Sequence, residues 1–107
     1  MIVAASLAMM LAAAPSADAV GNGRKEFANC LSAQVQPALD KKLTTGDFQA
    51  ELKKACADKE AAFRAAIVAQ DKADKMSDSA ANSDADDQIS EYVDKITSEY
   101  EDNSRPS

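Results

Sequence analysis

Residues 27–63 read FANCLSAQVQPALDKKLTTGDFQAELKKACADKEAAF, and this stretch decides the fold. Phe27, Leu31, Val35, Leu39 and Leu43 recur at every fourth position, which marks one helical face drifting slowly around its axis. Pro37 lies inside that stripe and must either kink the helix or open a second short one. Thr44, Thr45 and Gly46 break the pattern. Either threonine can cap the helix that follows, with Asp47 favourably placed in its first turn. A second helix is expected from about Asp47 to Met76, its stripe formed by Phe48, Leu52, Ala55/Cys56, Ala62/Phe63, Ala66/Ile67, Ala69, Ala73 and Met76. Lys59 interrupts it, but its aliphatic stem can lie along an apolar groove. The segment is rich in Ala and free of Gly and Pro beyond the turn, so propensity agrees with the pattern. Glu60/Arg64 and Asp71/Lys75 read as i,i+4 pairs.

Folding the two helices back at residues 43–46 brings Phe27 near Phe63, Val35 near Leu52 and Leu39 near Phe48. The same fold leaves Cys30 and Cys56 mismatched by about three residues, roughly 4.5 Å of axial rise, which a bend at Pro37 or an asymmetric turn absorbs. Two cysteines in a small, core-poor chain suit a disulfide in an oxidising compartment. A bridge closing this loop stabilises by about 3.5 kcal/mol on the loop-entropy estimate. Neither Cys-x-x-Cys spacing nor any His supports a redox or metal-binding pair. The expected architecture is all-α, a disulfide-clamped antiparallel hairpin over residues 20–76.

Beyond the hairpin, residues 77–87 contain no apolar residue larger than Ala and read as an acidic flexible linker. Residues 88–107 then form a third amphipathic helix, acidic and frayed from Asp102 onward, with Ile89, Tyr92, Val93, Ile96 and Tyr100 on one face. That face either packs on the hairpin or docks on another protein or a second copy; two tyrosines suit an interface. Charge divides the chain: residues 20–75 carry ten basic and eight acidic side chains, residues 76–107 two basic and nine acidic. The acidic segment is expected to keep the chain soluble, to dock on the hairpin's lysines or to bind a basic partner.

At the other end, Ile2 to Ala14 runs without a charge, Pro15 ends any helix there, and Ala17, Asp18 and Ala19 supply a small-x-small pattern. This order reads as a signal peptide over residues 1–19, cut between Ala19 and Val20, leaving a periplasmic or secreted bacterial protein. Thirteen uncharged residues span about 20 Å as a helix, short of a bilayer, so no stable membrane span is expected after the leader is removed. No Lys or Arg precedes the run; either Met1's amino group supplies the positive charge or the true start lies upstream.

From Val20 on, 88 residues contain only 17 Val, Ile, Leu, Met, Phe or Tyr. With no His and three Gly, a His-based triad, a His-ligated metal and a Gly-rich nucleotide loop are excluded. Eighteen acidic against twelve basic residues make nucleic acid an unfavourable partner. Asn82, Asp84 and Asp86 imitate the start of a calcium loop, but Asp87 stands where the sharp turn needs Gly and Val93 where a bidentate Glu belongs. Asp40, Thr44, Asp47 and Glu51 make a second imitation whose spacing is off by one. Apart from Glu51 beside the apolar turn, no carboxylate is obliged to sit in an apolar pocket, as a raised pKa requires. No catalytic residue, metal or cofactor is expected.

Lys54-Ala-Cys-Ala-Asp-Lys-Glu-Ala-Ala-Phe-Arg64, with Asp-Lys-Ala-Asp-Lys-Met76 after it, resembles the terminal helix of the periplasmic acid-resistance chaperones of enterobacteria. Those are small, exported, helical proteins with one disulfide. In that family the cysteines stand farther apart and the chain ends near this helix, whereas here it continues to Ser107. The layout of leader, early Cys, Thr45-Gly-Asp-Phe48 turn and Ala-rich Cys helix is also similar to small uncharacterised exported helical proteins of alphaproteobacteria. These readings point to a non-enzymatic protein that acts by protein–protein interaction in the periplasm or cell envelope. The alternative is an acid-type stress holdase that exposes its Phe27/Phe63 and Ile89/Tyr100 surfaces when its carboxylates are neutralised.

Overall fold

The computed structural model describes residues 17–105, and the expected apolar leader at Ile2 to Ala14 lies outside them. The described residues form five helices and no strand: α1 (Ala17–Ala33), α2 (Val35–Lys41), α3 (Thr45–Ala55), α4 (Ala57–Ala73) and α5 (Asp78–Ser104). The fold is all-α. Its two long arms are each broken once, for different reasons.

The first arm breaks at Gln34, whose N–H donates to Leu31 O at 3.1 Å, while Ala38 N–H reaches back to Gln34 O at 3.2 Å. Pro37 is therefore the third residue of a new helix, where the N–H it lacks has no intrahelical partner in any case. The second arm was expected to be continuous from Asp47 to Met76. It divides instead at Cys56, whose φ and ψ of −110° and 17° leave the helical range. Hydrogen bonds from Cys56 N to Leu52 O and from Glu60 N to Cys56 O span the bend at 3.0 and 2.9 Å, so the arm is bent rather than cut.

The two helix reversals are built alike. Lys42 and Lys75 are the only described non-glycine residues with positive φ, at 55° and 70°. In each case the following apolar residue closes a Schellman turn: Leu43 N donates to Ala38 O and Met76 N to Asp71 O. The next residue caps the helix beyond. Thr44 accepts from Asp47 N at 3.2 Å, and Ser77 accepts from Ala80 N at 3.1 Å. Lysine in the left-handed region costs about 1–2 kcal/mol per site relative to an unstrained backbone. The carbonyls satisfied by each turn offset that cost.

Because Ser77 caps a helix, the flexible linker expected over 77–87 is the first third of α5. Ala81 and Ala85 are fully buried there. Small side chains let α5 approach α4 closely, so the segment packs without any large apolar residue. The fray expected from Asp102 begins later, since the helix runs to Ser104.

Helix α1 lies antiparallel to α4, and α5 runs back along α4 before lying against both α2 and α3 with its C-terminal half. In the middle, Phe27 and Phe63 meet at 5.8 Å between ring centroids, the contact that the hairpin register required. Tyr92 closes over both rings edge-on, at 6.5 and 6.1 Å. Gly23 sits where α1 crosses α4 most tightly: a Cβ there would lie 3.1 Å from Phe63 Cα. One turn further on, Cys30 and Cys56 are joined by a disulfide with their Cα atoms 5.8 Å apart.

Candidate functional site: the face of the C-terminal helix and the acidic end

The five face residues of α5 share one side of the helix, and the chain itself covers most of it. Ile89, Ile96 and Tyr100 are 6%, 7% and 1% exposed, buried against the hairpin. Tyr92 and Val93, at the edges of the stripe, are half-buried. Tyr100 is the most committed of the five. Its ring stacks on Phe48 at 4.1 Å with 11° between planes. Its hydroxyl donates to Leu43 O at 2.6 Å and lies 3.2 Å from Ala38 O, tying α5 to the α2–α3 turn. Of the two expectations for this face, packing on the hairpin describes its centre, and only its edges meet solvent.

Two shallow grooves flank those edges. One, of about 600 Å³, runs beside the bend at Cys56 and sets Ile89 and Val93 among Lys53, Glu60, Arg64, Asp86 and Asp94. The other, between α1 and α5, holds Tyr92 with Arg24, Gln88, Glu91 and Lys95. Across the α4–α5 seam, Arg64 pairs with Asp86 at 2.6 Å and Lys72 with Asp78 at 2.9 Å. Lys59 reaches Glu26 of α1 at 3.5 Å. Arg64 thus leaves Glu60, its expected partner in sequence, for the neighbouring helix. All of these pairs are well exposed and contribute at most about 1 kcal/mol each.

The residues of the calcium-loop imitation are drawn apart by the helix they occupy. Asn82 donates to Asp78 O, Asp84 accepts from Gln88 and Asp86 holds Arg64. No group of three or more potential metal ligands occurs among the described residues.

Sequence reasoning missed Asp71. It was read as paired with Lys75, but α4 ends at Ala73 and Lys75 turns into the left-handed region. Asp71 faces α5 instead. Its Oδ2 is buried with no donor to it, and its pKa is pushed up to about 6. The largest cause is the hydrogen bond that the protonated acid makes with Asp84, followed by burial and then by the charges of Asp84 and Asp74. Glu51, the carboxylate singled out from sequence, is exposed. The available signal was spacing: Asp71 follows Ile67 by four residues and Phe63 by eight, so it continues the buried stripe.

Of the residues at the expected leader cut, Ala17 opens α1, Ala19 is exposed and Val20 is partly buried against the core. No described helix is long and apolar enough to cross a membrane. Comparison with known proteins finds no match for this chain among family models, curated proteins or solved structures.

Proposed function

We propose that this chain is an exported bacterial protein that acts by binding another protein in the periplasm or cell envelope, without catalysing a reaction. The observation that carries the reading is the Cys30–Cys56 disulfide, which joins α1 to the α3–α4 bend in a chain poor in large apolar side chains. Such a staple suits an oxidising compartment, where it survives and supplies the stability a thin core lacks. The leader pattern at residues 1–19 and the resemblance to small exported helical proteins support the same compartment. A binding role draws support from the groove beside Cys56, where the half-buried Val93 is ringed by charges of both signs.

The interaction reading is preferred to the acid-type holdase on electrostatic grounds. Acidification relieves the repulsion between Asp71 and Asp84 and thereby tightens the α4–α5 seam that a holdase would need to open. Two measurements test the proposal. Mass spectrometry of the exported product, with and without thiol alkylation, should return a chain beginning at Val20 with no free thiol. A product that keeps residues 1–19 or has two alkylated cysteines refutes export. Client-aggregation assays from pH 7 to pH 3 should show no protection that appears on acidification, and protection in acid alone would favour the holdase.

A further inference from the structure

The bend between α3 and α4 sits at a single residue, and the chain around it holds none of the common causes of a break. Residues 50–60 read AELKKACADKE, without Gly, Pro or Ser, and Cys56 is flanked by α-helix on both sides with no π-helical residue. What remains is an atom set into the hydrogen-bond ladder from outside. Ala57, Asp58 and Lys59 open α4, so their N–H groups lack the i−4 carbonyls that an unbroken helix would offer. One of those carbonyls, Ala55 O, faces Cys30 Sγ at 3.7 Å instead of accepting from Lys59 N–H. The sulfur contributed by α1 thus stands at the break, and Cys56, which carries the break, is its bonded partner.

The sequence itself supports a straight arm. Leu52, Cys56, Phe63 and Ile67 fall on one face of a single continuous helix, and residues of high helix propensity run through the break. Residues 45–73 therefore have two arrangements open to them. In the bent one, α3 sets Phe48 against the Tyr100 ring at 4.1 Å. Gly46 and Lys53 of α3 then wall the groove opposite Val93 and Asp94 of α5, with Arg64 of α4 beside them. In the straight one, α3 follows the axis of α4, and that wall swings away from α5.

We propose that the Cys30–Cys56 disulfide is a redox-operated bend. The bond holds the arm bent, and its reduction lets residues 45–73 join into one helix, withdrawing α3 from Tyr100 and dismantling the groove beside the bend. The consequence for binding rests on that groove being the binding surface; the bend rests on geometry alone. The reaction is thiol–disulfide exchange with a dithiol reductant. Its thiolate attacks Cys30 Sγ, the partly exposed sulfur, and the buried Cys56 leaves as a thiolate. The second thiol of the reductant then displaces Cys30 from the mixed disulfide. The reductant ends as a disulfide, and the two protons it sheds reach the cysteine sulfurs through water.

NMR of the oxidised protein, the dithiothreitol-reduced protein and the Cys30→Ala variant tests this. On reduction, the Cα shifts of residues 55–58 should move to helical values and the ring-to-ring NOE between Phe48 and Tyr100 should disappear, while far-UV ellipticity does not fall. Cys30→Ala should match the reduced protein, and reoxidation of the wild type should restore the bend. A reduced protein that keeps non-helical shifts at Cys56 together with the NOE overturns the inference, and leaves the groove intact as a binding surface. Loss of helicity throughout also overturns it, because a straightened arm keeps its turns. The reduced chain is measured in trimethylamine N-oxide as well, which favours compact states, and a chain still unfolded there counts as that loss. None of these results bears on export, which the mass of the exported product decides.

Discussion

The two ends of the helix bundle are closed in opposite ways. At the α2–α3 turn, a large ring stacks on Phe48 and its hydroxyl meets backbone carbonyls, so apolar area and polar satisfaction come from one side chain, Tyr100. At the other end, Ala81 and Ala85 bring α5 close to α4, and the seam beside them meets a carboxyl without a donor. The difference follows from where the few large side chains fall. Phe27, Phe63 and Tyr92 fill the middle and Phe48 with Tyr100 the turn end, leaving alanines and aspartates for the rest. Stability should therefore be uneven along the bundle, with the acidic end the first to open.

The comparison breaks most directly at Tyr100. Tyr100→Ala should cost about 4 kcal/mol, in the range of large aromatic truncations in a core. Tyr100→Phe keeps the stack and should lose only about 1–2 kcal/mol, the worth of a buried hydrogen bond. Urea unfolding of both variants measures the split. Replacing both cysteines by alanine should cost about 3.5 kcal/mol in the same assay, because the bridge restrains the unfolded chain. If the disulfide variant loses nothing, the staple between the two ends is not what holds the arms together.

The hairpin was legible because two independent cues, the step-of-four stripe from Phe27 to Leu43 and the spacing of Cys30 and Cys56, agreed on one register to within about three residues. Thr44 was legible as a cap for the same kind of reason, a hydroxyl just ahead of an apolar run. The N-terminal third of α5 was not. Its buried positions are alanines, which signal helix only through propensity, and the aspartates around them have the composition of a solvated chain. The bend at Cys56 left no mark either, since no Gly or Pro announces it. For the candidate site, the face of α5 could be drawn from sequence but not what covers it. Asp71 was hidden because a polar residue beside Lys75 in sequence reads as a surface pair until the helix end is known.

A pair of glycines sharpens the middle of the comparison. Gly21 has open space where a Cβ would stand, whereas at Gly23 the Cβ would meet Phe63 Cα at 3.1 Å. Gly21→Ala should stabilise the chain by about 0.5–1 kcal/mol through helix propensity alone. Gly23→Ala should destabilise it despite the same propensity gain, because a backbone atom cannot yield as a side-chain tip can. Thermal melts of the two variants should shift in opposite directions.

The smallest expected effect lies at the acidic end and depends on pH. The folded-state pKa of Asp71 is raised from 3.8 to about 6. A raised carboxyl favours the folded state most below its unfolded pKa, and that contribution is lost as pH rises toward and through 6. Asp71→Asn should therefore melt higher than the parent at pH 7, and the difference should shrink as pH falls to about 4. Solvent screening at this half-exposed position keeps the gain small.

Amide hydrogen exchange on the oxidised protein tests the central claim, that the C-terminal helix is an arm of the fold closed onto the disulfide hairpin rather than an appendage. The account predicts that amides from Ile89 to Tyr100 exchange as slowly as those around Leu31 and Phe63. Fast exchange throughout that part of α5, beside a protected hairpin, would contradict it.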